Sequence, residues 1–263
     1  MRFVALMSGC VIAMLAVAGT ASASTVAVNR AGVLRLDARF GEVNGVTLRE
    51  GSPLGTYVID DSAGLTAGSG CAQVSTSRAQ CLIVDASGAA LINSVVLNLG
   101  NRNDTSDVFT SFGFTPVEVD GGFGDDVLSG SSVDGYAAYG GPGDDTIDRV
   151  ATNGDPVDID GGFGDDTVST IALVGSGSIR GGFGADRLTL AGFTFATIEG
   201  GPGPDVITGA GTVLAPVFGG FGNDTIDLPG ATSIDCGFGR DSYGVYEGQT
   251  VTRCERPLPA PSI

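Results

Sequence analysis

The residues best suited to chemistry in this sequence are aspartates that close a recurring glycine-rich loop. Loops with the pattern Gly-Gly-x-Gly-x-Asp, or a close variant, begin at residues 121, 140, 161, 181, 200, 219 and 236. Glycine permits backbone angles that turn carbonyl oxygens toward a neighbouring loop, and a short aspartate keeps its carboxylate near that backbone. Carboxylate and carbonyl oxygens are the donors that Ca²⁺ prefers. The loop therefore predicts a site for a hard divalent cation.

The spacing of the loops predicts how such sites are assembled. The loops recur every 17–21 residues, and a weaker trace, Gly100 to Asp104, lies one period upstream. A unit of this length with two short strands cannot bury its apolar face alone, so the copies must stack. Stacked strands lie about 4.8 Å apart and calcium–oxygen distances are about 2.3–2.6 Å, so one ion between two loops reaches oxygens of both.

Apolar residues keep the same period as the loops. They alternate with polar residues on either side of each loop, which is typical of β-strands. Two positions after each loop aspartate stand Leu128, Ile147, Val168, Leu188, Ile207, Ile226 and Tyr243, and two positions before each loop stand Val119, Ala138, Ile159, Ile179, Ile198, Val217 and Ile234.

This arrangement predicts an all-β fold. We expect a parallel β-roll, or two-sheet β-solenoid, of about seven coils over residues 99–244, with the loops in one ladder along one edge. A motif-free β region over 24–98 would precede the roll and cap its open sheet edges; an independent binding domain is the alternative for this region. Residues 245–263 would form a disulfide-closed cap and a Pro-rich tail.

Charge favours a cation and excludes other partners. The chain has 24 Asp and 6 Glu against 13 basic residues, all of them Arg, and a net charge of −17. Residues 120–241 hold 18 of these Asp and one Glu against four Arg. Carboxylates about 5 Å apart repel by about 1 kcal/mol per pair even in water, so stacking predicts divalent ions between them. The same charge argues against nucleic acid and anionic membranes, and the lack of His excludes Ser-His-Asp and His-based zinc catalysis.

The N-terminus and the cysteines indicate an extracellular protein. Residues 1–23 predict a Sec-type signal peptide, with Arg2, an apolar stretch from Val4 to Val17 and a small-residue cleavage site ending at Ala23. No later stretch is long enough to insert into a membrane, so we expect a secreted chain. Removal of the signal peptide takes Cys10 with it. The remaining four cysteines allow three pairings, of which the simplest is Cys71–Cys81 with Cys236–Cys254.

The repeated segment Gly-Gly-x-Gly-x-Asp-x-apolar-x resembles the repeat of the hemolysin-type calcium-binding (RTX, repeats-in-toxin) family. Six close matches and one degenerate copy carry this resemblance over residues 99–244. It implies a β-roll in which the sixth-position aspartates and loop carbonyls bind Ca²⁺ between successive turns. The implied carboxylate ligands are Asp126, Asp145, Asp166, Asp186, Asp205, Asp224 and Asp241. The implied backbone ligands belong to Gly122, Gly124, Gly141, Gly143, Gly162, Gly164, Gly182, Gly184, Gly201, Gly203, Gly220 and Gly222.

Two features differ from the family's usual pattern. The family motif recurs about every nine residues, whereas here it recurs at twice that spacing and the opposite turns lack it. We therefore expect a single calcium ladder, with at most six ions between seven loops. The N-terminal signal peptide also differs from the C-terminal export route of the family's toxins.

The third and fifth loop positions vary in a regular way. The third position holds Phe123, Pro142, Phe163, Phe183, Pro202, Phe221 and Phe238. This column predicts either shielding of the loop backbone or an exposed patch for self-association or a cell-surface or glycan partner. The fifth position changes from Asp125, Asp144 and Asp165 to Ala185, Pro204, Asn223 and Arg240, so acidity falls along the chain.

These observations favour a secreted, non-catalytic calcium-ion-binding repeat protein. We expect a structural, surface or adhesive role and folding that depends on calcium. The alternative is a calcium-assisted polysaccharide lyase on a parallel β-helix, with Arg180 or Arg187 as the base. Charge balance on an acidic coil is the simpler account of both arginines.

Overall fold

The computed structural model describes residues 23–52, 55–85, 87–110, 115–132, 135–152 and 157–258. The predicted signal peptide up to residue 22, including Cys10, and the end of the Pro-rich tail from residue 259 lie outside these ranges. Within them, no helix is long and apolar enough to span a membrane.

All regular secondary structure in the described ranges is β. The strands are β1 Ser24–Val28, β2 Val33–Asp37, β3 Gly45–Glu50, β4 Thr56–Asp61, β5 Leu65–Ala67, β6 Cys71–Ser75, β7 Arg78–Leu82, β8 Ser94–Asn98, β9 Thr105–Phe109, β10 Val117–Asp120, β11 Val127–Ser132, β12 Tyr136–Pro142, β13 Thr146–Thr152, β14 Val157–Phe163, β15 Thr167–Leu173, β16 Ser176–Phe183, β17 Arg187–Leu190, β18 Phe193–Pro202, β19 Val206–Gly209, β20 Thr212–Val213, β21 Val217–Gly222, β22 Thr225–Asp227, β23 Gly230–Ala231, β24 Ser233–Gly239, β25 Ser242–Tyr243, β26 Thr250–Thr252 and β27 Arg256–Pro257.

Two parallel sheets build a solenoid, which confirms the predicted fold class. The first sheet stacks β2, β8, β10, β12, β14, β16, β18, β21, β24 and β26, and the second stacks β3, β9, β11, β13, β15, β17, β19, β22, β25 and β27. Each coil leaves a strand of the first sheet, turns through one loop and enters a strand of the second. Seven of these coils carry the repeated loop, and the stack continues with two coils before them and one after.

Strand register places equivalent loop positions directly above one another. Between β12 and β14, Gly141 pairs with Gly162 and Pro142 pairs with Phe163. The same correspondence continues from β14 to β16, where Phe163 pairs with Phe183. As a consequence, the residues at each loop position form a row of equivalent residues along the solenoid.

The interior between the sheets is a narrow apolar core. All of the apolar positions predicted from the period are completely buried, except Tyr243, which is half-buried. Burial of one such aliphatic side chain stabilises the fold by about 1.5–3 kcal/mol. The core therefore holds consecutive coils in the register that the loops require.

The motif-free region covers the first coils. Strand β1 pairs antiparallel with β2, while β4 pairs antiparallel with β3, and β7 and β6 extend that sheet. Short strand β5 lies parallel to β1. These strands occupy the sheet edges that a bare solenoid would leave open to pairing with other chains.

Both predicted cysteine pairs are bonded. Cys71 and Cys81 join β6 to β7, and Cys236 joins the last motif coil to Cys254 in the following coil. Closing a loop of this size stabilises a fold by about 3 kcal/mol in the chain-entropy model. Each disulfide therefore strengthens one end of the stack.

The close approach of coils at the second loop position can be tested with a matched pair of glycine substitutions. Gly162 has a φ of +112°, and an added methyl group would lie 2.1 Å from the Gly141 carbonyl oxygen. Gly248 has a φ of +84°, but an added methyl group would meet nothing within 4 Å. We expect Gly248→Ala to lower the free energy of unfolding by about 1 kcal/mol, from backbone strain alone. Gly162→Ala should lower it by about 3 kcal/mol, because strain and overlap add.

Urea denaturation followed by circular dichroism measures both changes. Equal losses in the two variants would contradict the close stacking of the loops.

Candidate metal centre

The sixth-position aspartates lie in one row at the corner between the two sheets. In each coil, a carboxylate oxygen accepts a hydrogen bond from the main-chain N–H of the equivalent residue in the preceding coil, at 2.6–2.9 Å. The aspartates of this row are at most 1% exposed. We call the row the aspartate ladder; it consists of Asn44, Asp104, Asp126, Asp145, Asp166, Asp186, Asp205, Asp224, Asp241 and Glu255.

Local sequence explains why the ladder forms. The glycines at the second and fourth positions turn the chain sharply, with φ of +96° at Gly122 and +125° at Gly124. After this turn the side chain of Asp126 points inward and reaches the N–H of Asp104, at 2.7 Å. A hydrogen bond to a charged acceptor contributes about 1.5–3 kcal/mol. The Asp126 carboxylate therefore satisfies a main-chain donor at the corner where the chain leaves one sheet for the other.

The second carboxylate oxygen of each aspartate has no such partner. Oδ2 of all eight aspartates in the ladder is buried and receives no hydrogen bond from any described residue. Burying an ionised oxygen without a partner is costly, because water no longer solvates its charge. Each Oδ2 therefore requires either a proton or a nearby cation.

A main-chain carbonyl lies near six of these eight oxygens, those of the aspartates from Asp126 to Asp224. A methyl group built on Gly121 would lie 2.4 Å from Asp126 Oδ2 and 2.8 Å from the carbonyl oxygen of Gly140 in the next coil. The same pairing of an aspartate oxygen with the next coil's first-position carbonyl recurs at Gly140, Gly161, Gly181, Gly200 and Gly219, with distances of 2.3–2.7 Å. Two acceptors that face the same space repel, so this geometry favours a positive charge between the coils.

Burial makes these carboxyl groups hard to ionise. Desolvation raises the pKa of Asp126, Asp166 and Asp205 to about 7, although the ladder hydrogen bond lowers it and neighbouring aspartates raise it further. It likewise raises the pKa of Asp104 and Asp145 to about 6. Three further ladder residues follow this trend: burial raises the pKa of Asp224 to about 6 and that of Asp186 and Asp241 above the ordinary value.

The structure brings together only part of the ligand set that the family resemblance implies. All seven implied aspartates lie in the ladder, but the second- and fourth-position carbonyls point along the stack. Methyl groups on Gly141 and Gly143 would lie 2.0 and 1.9 Å from the carbonyl oxygens of Gly122 and Gly124, respectively. Within the described residues, no three Asp, Glu, Cys or His side chains converge on one point. The nearest carbonyl partners of the aspartates are instead those of the first position.

Sequence reasoning missed both ends of the ladder. Asp104 has a signal, the weak loop trace one period upstream, in which Arg102 takes the fourth position at a φ of +95°. Asn44 and Glu255 belong to no recognisable copy of the loop. Asn44 donates its N–H to Asp104, and Glu255 accepts from the N–H of Asp241. Only the three-dimensional stack shows that these two residues close the row.

The fifth-position residues form a second, exposed row. The N–H groups of Asp144, Asp165 and Ala185 each donate to the carboxylate of the preceding coil, at 2.8–3.1 Å. This row is interrupted between Ala185, which has no side-chain acceptor, and Pro204, which has no N–H to donate. Because Pro204 has no N–H, the lack of an acceptor on Ala185 leaves no donor unpaired between these two coils. The fifth position thus binds backbone as well as facing solvent.

The third-position column is more exposed than shielding alone requires. Phe163 stacks on Phe183 with ring centroids 4.9 Å apart, and Phe221 stacks on Phe238 at 5.1 Å. Within each of these two pairs the rings cover one another, but the five phenylalanines of the column remain 54–66% exposed.

The two arginines considered for catalysis lie apart. Arg180 in β16 is on the first sheet and pairs with Asp158 and Asp160 at 3.4 and 3.6 Å. Arg187 in β17 is exposed on the second sheet. The structure does not bring these two side chains to one site.

The aspartate ladder offers only hard oxygen donors, because the chain has no His and its four described cysteines form disulfides. Such donors suit Ca²⁺ and other hard cations rather than zinc or copper. Comparisons with protein-family models, curated protein sequences and solved structures found no match to this chain.

The raised pKa values predict how stability depends on pH in the presence of a chelator. Because the folded ladder binds protons that the unfolded chain has already released above pH 4, the free energy of unfolding should fall as pH rises from 4 to 7. Asp60 and Asp235 act in the opposite sense, because partner arginines lower their pKa. They are fewer than the ladder aspartates, so the decline should dominate.

The far-UV circular dichroism β-signal across this pH range in chelator measures the dependence, with urea denaturation at the acidic pH values where the chain is folded. Repeating it at high ionic strength is the control, since salt screens exposed charges more than buried ones. Stability that rises between pH 4 and 7 would contradict the burial of ionisable oxygens in the ladder.

Proposed function

We propose that this protein is a secreted, non-catalytic calcium-binding repeat protein whose solenoid is completed by Ca²⁺ along the aspartate ladder. The observation that carries the proposal is the row of eight buried Oδ2 atoms, six of which lie beside a first-position carbonyl of the next coil. A divalent cation between coils supplies the positive charge that these oxygens lack.

The donor set and its spacing fit calcium. Carboxylate and carbonyl oxygens repeat at coil spacing, about twice a calcium–oxygen distance. Six such pairs occur, formed by the aspartates from Asp126 to Asp224 with the first-position carbonyl of the following coil. This number equals the six gaps between seven loops. Magnesium requires shorter bonds and a strict octahedron, so it fits the repeated spacing less well.

Calcium binding and folding are coupled in this proposal. The ladder accumulates like charges in a buried row, and unpaired carboxylates oppose stacking of the coils. The cation site exists only when the coils are stacked. The free energy of calcium binding therefore adds to the free energy of folding. A chain that meets abundant calcium outside the cell would then fold there.

The proposed location and role follow from the same features. The predicted signal peptide and the two disulfides suit an oxidising, extracellular compartment. The loop resembles that of the RTX family, in which calcium completes a β-roll. The ladder is buried, and Arg180 is held by two carboxylates on the outer face. These features favour a structural or adhesive role at a surface over catalysis.

A calcium titration tests the proposal directly. Far-UV circular dichroism should show β-structure increasing with calcium, and calorimetry should detect saturable binding of up to six ions per chain. A full β-signal in excess chelator would contradict calcium-dependent folding, and no binding heat or spectral change would contradict calcium binding. Release of unsaturated products from uronic-acid polymers would favour the lyase alternative instead.

A single isosteric substitution distinguishes a cation from a proton on the ladder. In Asp166→Asn, the amide oxygen can still accept from the N–H of Asp145, and the new NH₂ can donate toward the Gly181 carbonyl. In chelator we expect this variant to shift the equilibrium toward the folded solenoid by about 1–2 kcal/mol, seen as a stronger β-signal, because it removes a buried charge. In saturating calcium it should lower the free energy of unfolding, because a charged ligand is lost.

The matched control is Asp165→Asn, the same change at the exposed neighbouring position. Its effect should stay within about 0.5 kcal/mol under both conditions. Far-UV circular dichroism in chelator and urea denaturation in calcium measure all three chains. An Asp166→Asn effect of the same sign in both conditions would contradict a calcium ion at this rung.

A further inference from the structure

The third-position residues present a continuous apolar surface along the loop edge. This Phe/Pro column consists of Phe123, Pro142, Phe163, Phe183, Pro202, Phe221 and Phe238, and each of these residues is exposed. Its seven rungs span about 29 Å at the usual strand spacing. The column is independent of the buried aspartate ladder, since its side chains point out of the loop.

The exposed area is sufficient for a small interface. The five rings are 54–66% exposed. At about 200 Å² per phenylalanine, they offer about 600 Å² on each copy. Two copies would bury about 1,200 Å² through these rings alone, and specific interfaces begin near 1,000 Å². The column is therefore large enough for a second copy of the chain.

The order of phenylalanines and prolines along the column is complementary to the same column running in the opposite direction. In an antiparallel pair centred on Phe183, Phe123 lies opposite Phe238, Pro142 opposite Phe221, and Phe163 opposite Pro202. Four of the seven rungs then place a bulky ring against a small proline. In a parallel pair every ring would face the same ring and every proline the same proline, which leaves gaps at the prolines.

The exposed fifth-position row selects the same orientation. Reversal about Ala185 places Asp125 opposite Arg240, Asp144 opposite Asn223 and Asp165 opposite Pro204. A parallel pair would instead set each of the three aspartates against its own copy. Like charges facing each other across an interface are unfavourable, and opposite charges favour the correct partner. The Phe/Pro column and the fifth-position row thus both favour the antiparallel pair.

A groove runs beside the column on the side of the first sheet. It has a volume of about 470 Å³ and lies between Phe163, Phe183 and Pro202 on one side and Tyr139, Arg180 and Glu199 on the other. Its floor is formed by second-position glycines, including Gly162 and Gly182. A two-fold axis perpendicular to the solenoid axes sets column against column and groove against groove, so the two grooves meet along one side of the paired rings.

We infer that two copies of this protein associate through the Phe/Pro column as an antiparallel dimer with its two-fold axis at Phe183. A two-fold interface uses the same patch on both copies, so it closes at two chains. Such a dimer places the N-terminal caps of the two solenoids at opposite ends.

Sedimentation of the purified chain, with its N-terminus defined by mass spectrometry, tests the association. The area is near the lower limit for specific interfaces, so we expect a dissociation constant on the order of 1–100 μM. Phe183→Asp sets two carboxylates against each other at the axis and should weaken the dimer about 30-fold or more. The control is Phe193→Asp, at a ring that is 41% exposed on the opposite corner, which should leave the dimer unchanged.

Charge reversal and disulfide trapping test the orientation. Asp125→Arg and Arg240→Asp should each weaken the dimer about fivefold, and the double variant should restore it, because the pair then re-forms with reversed signs. Phe183→Cys alone should form an interchain disulfide under mild oxidation. Phe123→Cys should do so only when mixed with Phe238→Cys.

Several results would overturn the inference. These are a monomer at all concentrations, a dimer insensitive to Phe183→Asp, or equal weakening by Phe193→Asp. Self-linking of Phe123→Cys would establish a parallel pair, and assembly beyond two chains would contradict a closed two-fold. Circular dichroism of each variant confirms that the solenoid is intact before association is compared.

Discussion

The structure depends on a buried carboxylate that bonds to the coil before it. Each ladder aspartate satisfies a main-chain N–H at the corner where one sheet gives way to the other, and nine such bonds join ten coils. One oxygen of each aspartate has no hydrogen-bond donor, and in six of them it lies beside a carbonyl, so the row lacks positive charge. Stability of the fold and affinity for a cation are therefore two aspects of the same row of atoms.

The rest of the coil serves to bring these carboxylates into line. Glycines at the second and fourth positions allow carbonyl oxygens of one coil to approach the backbone of the next more closely than any side chain would permit. The aliphatic core fixes the spacing and register of the strands, so the loops cannot slip past one another. Disulfides and the motif-free region act at the ends of the stack, where a coil has a neighbour on one side only.

Much of this was predictable, because a repeat converts sequence period directly into spatial register. The buried strand positions from Val119 to Ile234, the corner aspartates and both disulfides follow from counting residues. The first-position carbonyls were not predictable as neighbours of the carboxylates, because their direction depends on the twist of the loop rather than on residue type. Asn44 and Glu255 were missed because they join the ladder through stacking alone, without the glycines that mark the other loops.

The matched pair at the fifth position, Ala185 followed by Pro204, limits how the repeat can change in length. Most neighbouring coils carry the same main-chain donor and side-chain acceptor at this position. If one such coil were deleted, the coils on either side of it could form the same hydrogen bond with each other. Excising only the coil that holds Ala185 would instead bring Pro204 against Asp165, and that carboxylate would lose its donor. Removing the Pro204 coil, alone or together with the Ala185 coil, would leave every fifth-position carboxylate with its donor, so the two coils are not equivalent when the chain shortens.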